Sequence, residues 1–165
     1  MKKMLIVDDD AHLRKLVRTY AELEDFQCTE AEDAEEAVRN TRQTEFDIVI
    51  LDVMMPGADG FEALSHIREH SQVSVIMLTA RSEEYDKLFG FNLGADDYVS
   101  KPFSPKELMA RVNAVLKRAG NAAGTALRFG DFCILTAERL VKAGDKTISL
   151  PPKEFDLLVK LARNE

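Results

Sequence analysis

Residues 4–14 read MLIVDDDAHLR: four apolar residues, three consecutive aspartates, then a mixture of apolar and polar residues at helical spacing. MLIV has the length and composition of a short buried strand, and Asp10 is placed to cap a helix beginning at Ala11. A strand, an acidic turn and a helix start in so few residues open a βα unit. The acids raise a second question. Ionised carboxylates crowded at one point raise each other's pKa unless something positive compensates, so Asp8 and Asp9 at a strand end imply a cation close by.

The alternation continues along the chain. Further apolar or β-prone runs are CTEA (28–31), FDIVIL (46–51), VSVIML (73–78) and DYVS (97–100). FDIVIL and SVIML are almost uniformly apolar, as strands covered by helices on both faces must be. Asp59 and Glu62 form a capping-box pattern before FEALSHI. Ser104, Pro105 and Glu107 supply an N-cap, a first-turn proline and a third-position acid before LMARVNAVL. Five strands and five helices fit within 120 residues. Right-handed crossovers then give an α/β fold with a doubly wound parallel sheet, whose ligand crevice lies at the carboxyl ends of the strands.

The chain has 165 residues, 45% hydrophobic and 31% charged, enough for one full core and part of a second. Nothing in that composition suggests disorder or a membrane span, and MKKMLIV is too short an apolar run for a signal peptide. A cytoplasmic location with no membrane partner is expected. Cys28 and Cys133 lie far apart without a CxxC partner, and His12, His66 and His70 have no metal-ligand spacing. Residues 126–165 carry seven basic and six acidic side chains, a net of +1. Residues 1–125 carry 15 and 23, a net of −8, a poor balance for holding nucleic acid alone. After Arg118, AGNAAGTA reads as a linker over 120–126. Beyond it come several short β-like runs and the amphipathic helical pattern EFDLLVKLA.

In a doubly wound sheet the residues just after each strand meet at one edge. They are Asp8 and Asp9 after the first strand, Asp52 after the third, Thr79 after the fourth and Lys101 after the fifth. Singly, each has a plain structural reading: a solvated turn, a helix-entry threonine, a surface lysine. Together, three acids, a hydroxyl and an amine suit Mg2+, which takes carboxylates, water and a phosphate oxygen. An aspartate can also accept a phosphoryl group while a metal, a lysine and a hydroxyl stabilise its oxygens.

The strings LIVDDD, DIVILDVMMPGADGFE, VIMLTAR and GADDYVSKPFSPKEL resemble, in order, the signatures of the receiver domain of two-component response regulators, over roughly residues 3–119. The resemblance implies a flavodoxin-like receiver with strand order 2-1-3-4-5, in a receiver domain spanning 1–119. It implies Asp52 as phosphoacceptor and Asp8, Asp9, Asp52 and the Met54 carbonyl as Mg2+ ligands. Lys101 is then the lysine that pairs with the acid, Thr79 the hydroxyl that moves onto a phosphoryl oxygen, and Tyr98 the aromatic switch. A cis peptide before Pro102 is also implied. Phosphorylation by a sensor histidine kinase would shift a conformational equilibrium and alter the face formed by the fourth helix, fifth strand and fifth helix.

Lys87, Asp96, Asp97, Glu107, Arg111 and Arg118 match the charge pattern of the OmpR/PhoB subfamily. Its active receivers form homodimers through pairs equivalent to Lys87–Glu107, Asp96–Arg118 and Asp97–Arg111. Residues 127–165 resemble the start of that subfamily's winged-helix DNA-binding domain, namely its N-terminal sheet and first helix. Promoter DNA is therefore expected as a partner of the full-length regulators, and not of these residues alone, which end before any recognition helix. Pro151 stands where the family has a capping threonine, so a frayed helix start is expected. The strands and helix of this piece lack the partners that would complete their core, so Phe155, Leu158 and Leu161 are expected to be partly exposed or the whole segment mobile. The output is expected to be regulatory, not enzymatic. A phosphatase of the haloacid dehalogenase type needs a second acid two residues after its nucleophile, where this chain has Met54. A phosphorylation-independent binding module leaves Asp52, Thr79 and Lys101 unexplained.

Overall fold

The computed structural model describes residues 1–80, 93–130, 132–136, 139–144 and 146–163, in two compact units, Met1–Leu116 and Lys117–Glu165. The first unit holds a parallel sheet in the order β2-β1-β3-β4-β5. Its strands are β1 (Lys2–Val7), β2 (Phe26–Ala31), β3 (Ile48–Asp52), β4 (Ser74–Thr79) and β5 (Asp97–Ser100). The helices are α1 (Ala11–Leu23), α2 (Ala34–Gln43), α3 (Gly60–Arg68) and α4 (Pro105–Thr125), the last being the fifth helix of the sequence reading. The helix expected between β4 and β5 lies outside the described residues, and Lys87 with it.

The uniformly apolar strands are explained by their two-residue period. Leu5, Val7, Val49, Leu51, Val75 and Met77 pack on one side with Ala34, Ala37, Ala63 and Leu64. Met4, Ile6, Ile48, Ile50, Ile76 and Leu78 pack on the other with Val17, Ala21, Leu108 and Val112. Each face of the sheet thus has its own helices and its own core. The helix starts follow side-chain caps: Asp10 accepts from the His12 and Leu13 amides, and Asp59 from the Glu62 amide. Asp33, which the sequence reading passed over, caps α2 through the Glu36 amide.

The second unit contains β6 (Ala126–Phe129), β7 (Phe132–Leu135), β8 (Leu140–Ala143) and β9 (Lys146–Ile148), antiparallel in chain order, then α5 (Pro152–Arg163). This is the expected sheet and first helix of a partial winged-helix domain. Three expectations are corrected in detail. Phe155 is only 2% exposed, because the sheet and helix together enclose it with Ile134 and Val141, and Arg139 stacks 5.0 Å from its ring centre. Leu158 is half-buried and Leu161 remains 67% exposed. The start of α5 is regular, since the Pro151 carbonyl accepts from the Phe155 amide at 3.0 Å and Pro152 brings a helix-compatible φ. Residues 120–125 of the proposed linker are helical, continuing α4 to Thr125.

Candidate functional site

Parallel pairing aligns the strand ends: Val7 lies opposite Leu51, Asp52 opposite Leu78 and Thr79 opposite Ser100. Backbone bonds continue one residue past the strands, from Asp8 N to Ala31 O, Val53 N to Leu78 O and Lys101 N to Thr79 O. The side chains at these positions are therefore held at one edge by the ladder itself. The structure brings Asp8, Asp9, Asp52 and Lys101 together there.

Asp8 and Asp52 are 0% and 2% exposed, while Asp9 is exposed. One carboxylate oxygen from each of the three lies within 4.8 Å of the others. Lys101 Nζ stands 2.9 Å from Asp8 Oδ2 and 3.2 Å from Asp52 Oδ1. The Asp10 amide donates to Asp8 Oδ1 at 2.9 Å, and the Met54 amide to Asp52 Oδ1 at 3.3 Å. Burial and the Asp8 charge push the Asp52 carboxyl up, against the opposing pull of Lys101 and the Met54 amide. Burial draws the Lys101 ammonium down, but its bonds to Asp8 and Asp52 more than offset this and leave it raised.

Among the described residues, Lys101 is the one cationic side chain bonded to these carboxylates, and two of the three acids are buried, so negative charge is left uncompensated where oxygen ligands converge. That donor set fits a hard divalent cation such as Mg2+. Thr79 is fully buried, and Tyr98 is buried in the core cluster that includes Met77 and Ala95. The Lys101–Pro102 peptide is cis.

On the charged face, Arg111 bonds within the chain to Asp97 at 3.2 Å and to Glu107 at 3.3 Å. Asp96 Oδ2 accepts from the Val75 amide at 2.8 Å and lies 3.6 Å from Arg68. Arg118 falls in the second compact unit.

Two residues important to the pocket escape sequence reasoning. Gly60 opens α3 and its amide bonds to Val53 O at 2.9 Å, bringing the helix against the Asp52 peptide. Arg14 donates from Nη1 to Asp8 O at 2.6 Å. Both contacts are made to backbone, which no residue spacing reveals.

The raised Asp52 pKa predicts that Asp52→Asn stabilises the metal-free protein. A carboxyl whose folded pKa exceeds its unfolded value costs stability while ionised, and the cost vanishes as pH falls through that folded value. At neutral pH the variant is expected to melt higher than the wild type. The difference should disappear below the ordinary carboxylate range. Thermal melts without metal at the two pH values check this.

Comparison with known proteins supplies the relatives. The family model described as "Response regulator receiver domain" matches residues 4–113. The transcriptional regulatory protein ResD of Bacillus subtilis is 41% identical, over 98% of this chain and 70% of its own length. The transcriptional regulatory protein SrrA of Staphylococcus aureus is 37% identical with the same coverage. The structure of DrrB, an OmpR/PhoB homolog from Thermotoga maritima, aligns with a TM-score of 0.67 at 36% identity, over 99% of this chain and 73% of that one. Vibrio cholerae CheY4 aligns at 0.67 and 32% identity, over 70% of this chain and 98% of that one. Among the described residues, no helix is long and apolar enough to cross a membrane.

Proposed function

The chain belongs to the response regulator receiver family, with OmpR/PhoB-type transcriptional regulators among its relatives, and from that membership we propose that it accepts a phosphoryl group on Asp52 from a sensor histidine kinase. The observation that carries this reading is a buried Asp52 carboxylate 3.2 Å from Lys101 inside a three-acid cluster. Asp8, Asp9, Asp52 and the Met54 carbonyl would hold Mg2+, which when bound offsets charge on the transferring group.

An Asp52 oxygen attacks phosphorus while the bond from phosphorus to the kinase imidazole nitrogen breaks, and that nitrogen keeps the electron pair. Lys101 then exchanges its contact with the Asp52 carboxylate for a phosphoryl oxygen. The Thr79 hydroxyl donates to another. These contacts are stronger in the phosphorylated state than before it, so they bias the position of Thr79 and of the Tyr98 ring. Transfer of labelled phosphoryl from an autophosphorylated sensor kinase to the wild-type chain, and none to Asp52→Asn, tests the assignment. Transfer to the variant at the wild-type rate would refute it.

The output we propose is transcriptional control through a two-fold dimer formed at the face of the helix expected between β4 and β5, β5 itself and α4, with Lys87, Asp96, Asp97, Glu107, Arg111 and Arg118 as its charged residues. A symmetric interface lets each charge pair occur twice, fixing register more than adding affinity. Arg111 already bridges Asp97 and Glu107 within one chain, so these groups are preorganised on a single surface. Arg111→Glu should weaken the activated dimer by about tenfold or more, since it places like charges together. Asp97→Arg in the same chain should restore part of the loss. Sedimentation of the activated protein reads the effect, and an unchanged dimer would show that another face is used.

A further inference from the structure

Arg14 lies in the first turn of α1 with a side chain only 13% exposed. Its Nη1 donates to Asp8 O at 2.6 Å, and its Nε donates to Glu30 Oε2 at 3.1 Å. The other Glu30 oxygen accepts from Arg18 Nη1 at 3.1 Å, and Arg18 Nε reaches Glu22 at 2.7 Å. Glu30 is thus braced from two sides, and it aims the Arg14 guanidinium at one carbonyl.

That carbonyl belongs to the peptide joining Asp8 to Asp9. The Asp8 side chain is fixed independently by Lys101 and the Asp10 amide. The Asp9 carboxylate, by contrast, takes no hydrogen bond among the described residues, so what places it beside the other acids is the backbone from which it projects, beginning with the Asp8–Asp9 peptide. We propose that Arg14, oriented by Glu30, is a positioning residue that holds the Asp8–Asp9 peptide and thereby aims the Asp9 carboxylate into the cation site. This rests on the Mg2+ reading above, and it assigns a role to the Arg14–Glu30 pair that the phosphoryl chemistry does not use.

The sign of one measurement separates this role from its rivals. A guanidinium beside three acids repels a divalent cation, so if charge alone mattered, Arg14→Met would bind Mg2+ more tightly. If Arg14 only braced α1, the variant would lose thermal stability and keep its Mg2+ affinity. Loss of positioning weakens Mg2+ binding, by about tenfold, as for other residues that orient metal ligands. The experiment is a Mg2+ titration of the full chain by NMR, with metal-free melts of each variant alongside. Arg14→Met and Glu30→Ala are both expected to bind more weakly, and Glu30→Gln, which keeps the acceptor, to stay near wild type. Tighter or unchanged binding in Arg14→Met, or in Glu30→Ala should Arg14→Met fail to fold, overturns the proposal. Failure of the wild-type chain itself to bind Mg2+ overturns the metal reading instead.

Discussion

Asp9→Asn is expected to lose metal-dependent phosphorylation, with a rate at least about a thousand-fold below wild type, equivalent to about 4 kcal/mol of transition-state stabilisation. The division of labour in the pocket explains so large an effect for an exposed residue. Asp8 is engaged by Lys101 at 2.9 Å and by the Asp10 amide, and Asp52 must supply the attacking oxygen. Asp9 is the acid of the cluster left to face a cation without an internal partner among the described residues. Its replacement removes a charge from the metal site while Lys101, Thr79 and the nucleophile stay in place. Mg2+ titration by NMR and rates with acetyl phosphate check this together. Wild-type Mg2+ affinity in the variant would contradict the ligand assignment.

Gly60→Val is expected to cost about 3 kcal/mol or more of folding stability and to displace the Asp52 peptide. A Cβ at residue 60 would overlap the Asp52 carbonyl oxygen and lie 2.8 Å from Val53 Cα. Both are backbone atoms, so no rotamer change relieves the overlap. Either α3 retreats and the Gly60–Val53 bond breaks, or β3 is pushed toward the acidic pocket. The strain is a matter of space, because Gly60 does not occupy the left-handed backbone region. Even Gly60→Ala should show most of the loss. Denaturant unfolding of each variant gives the magnitude, and a change below about 0.5 kcal/mol, within the range of ordinary surface substitutions, would contradict the close approach.

Gly60 also shows where sequence stops being informative. It stands within a quoted motif, yet its role depends on a contact through space with a residue eight positions earlier, which no hydrophobic period encodes. Arg14 is hidden for the same reason, since its target is a carbonyl and any residue could provide one. Asp8, Asp9, Asp52, Thr79 and Lys101 were legible because chemistry-bearing side chains follow separate apolar runs and the doubly wound topology gathers strand ends. Four of the receiver strands were found with edges off by one or two residues, and β5 at its observed bounds. β2, for example, begins at Phe26 instead of Cys28 because Lys2 and Lys3 extend the β1 ladder beyond the apolar run. Asp97–Arg111 was expected as a pair between two chains, and that Arg111 also bonds Asp97 within one chain, joining α4 to β5, needed coordinates. Burial of Phe155 was missed because a sheet of short, weakly patterned strands encloses more than their separate lengths suggest.

The central claim, that Asp52 is a phosphoacceptor in a Mg2+-dependent site, is tested most directly by the intact mass of the chain after incubation with acetyl phosphate, with and without Mg2+. One phosphoryl group per chain is expected when Mg2+ is present, none when it is withheld, and none on Asp52→Asn under either condition. A wild-type chain that stays unmodified with Mg2+, or an Asp52→Asn chain modified to the same extent as wild type, would contradict it.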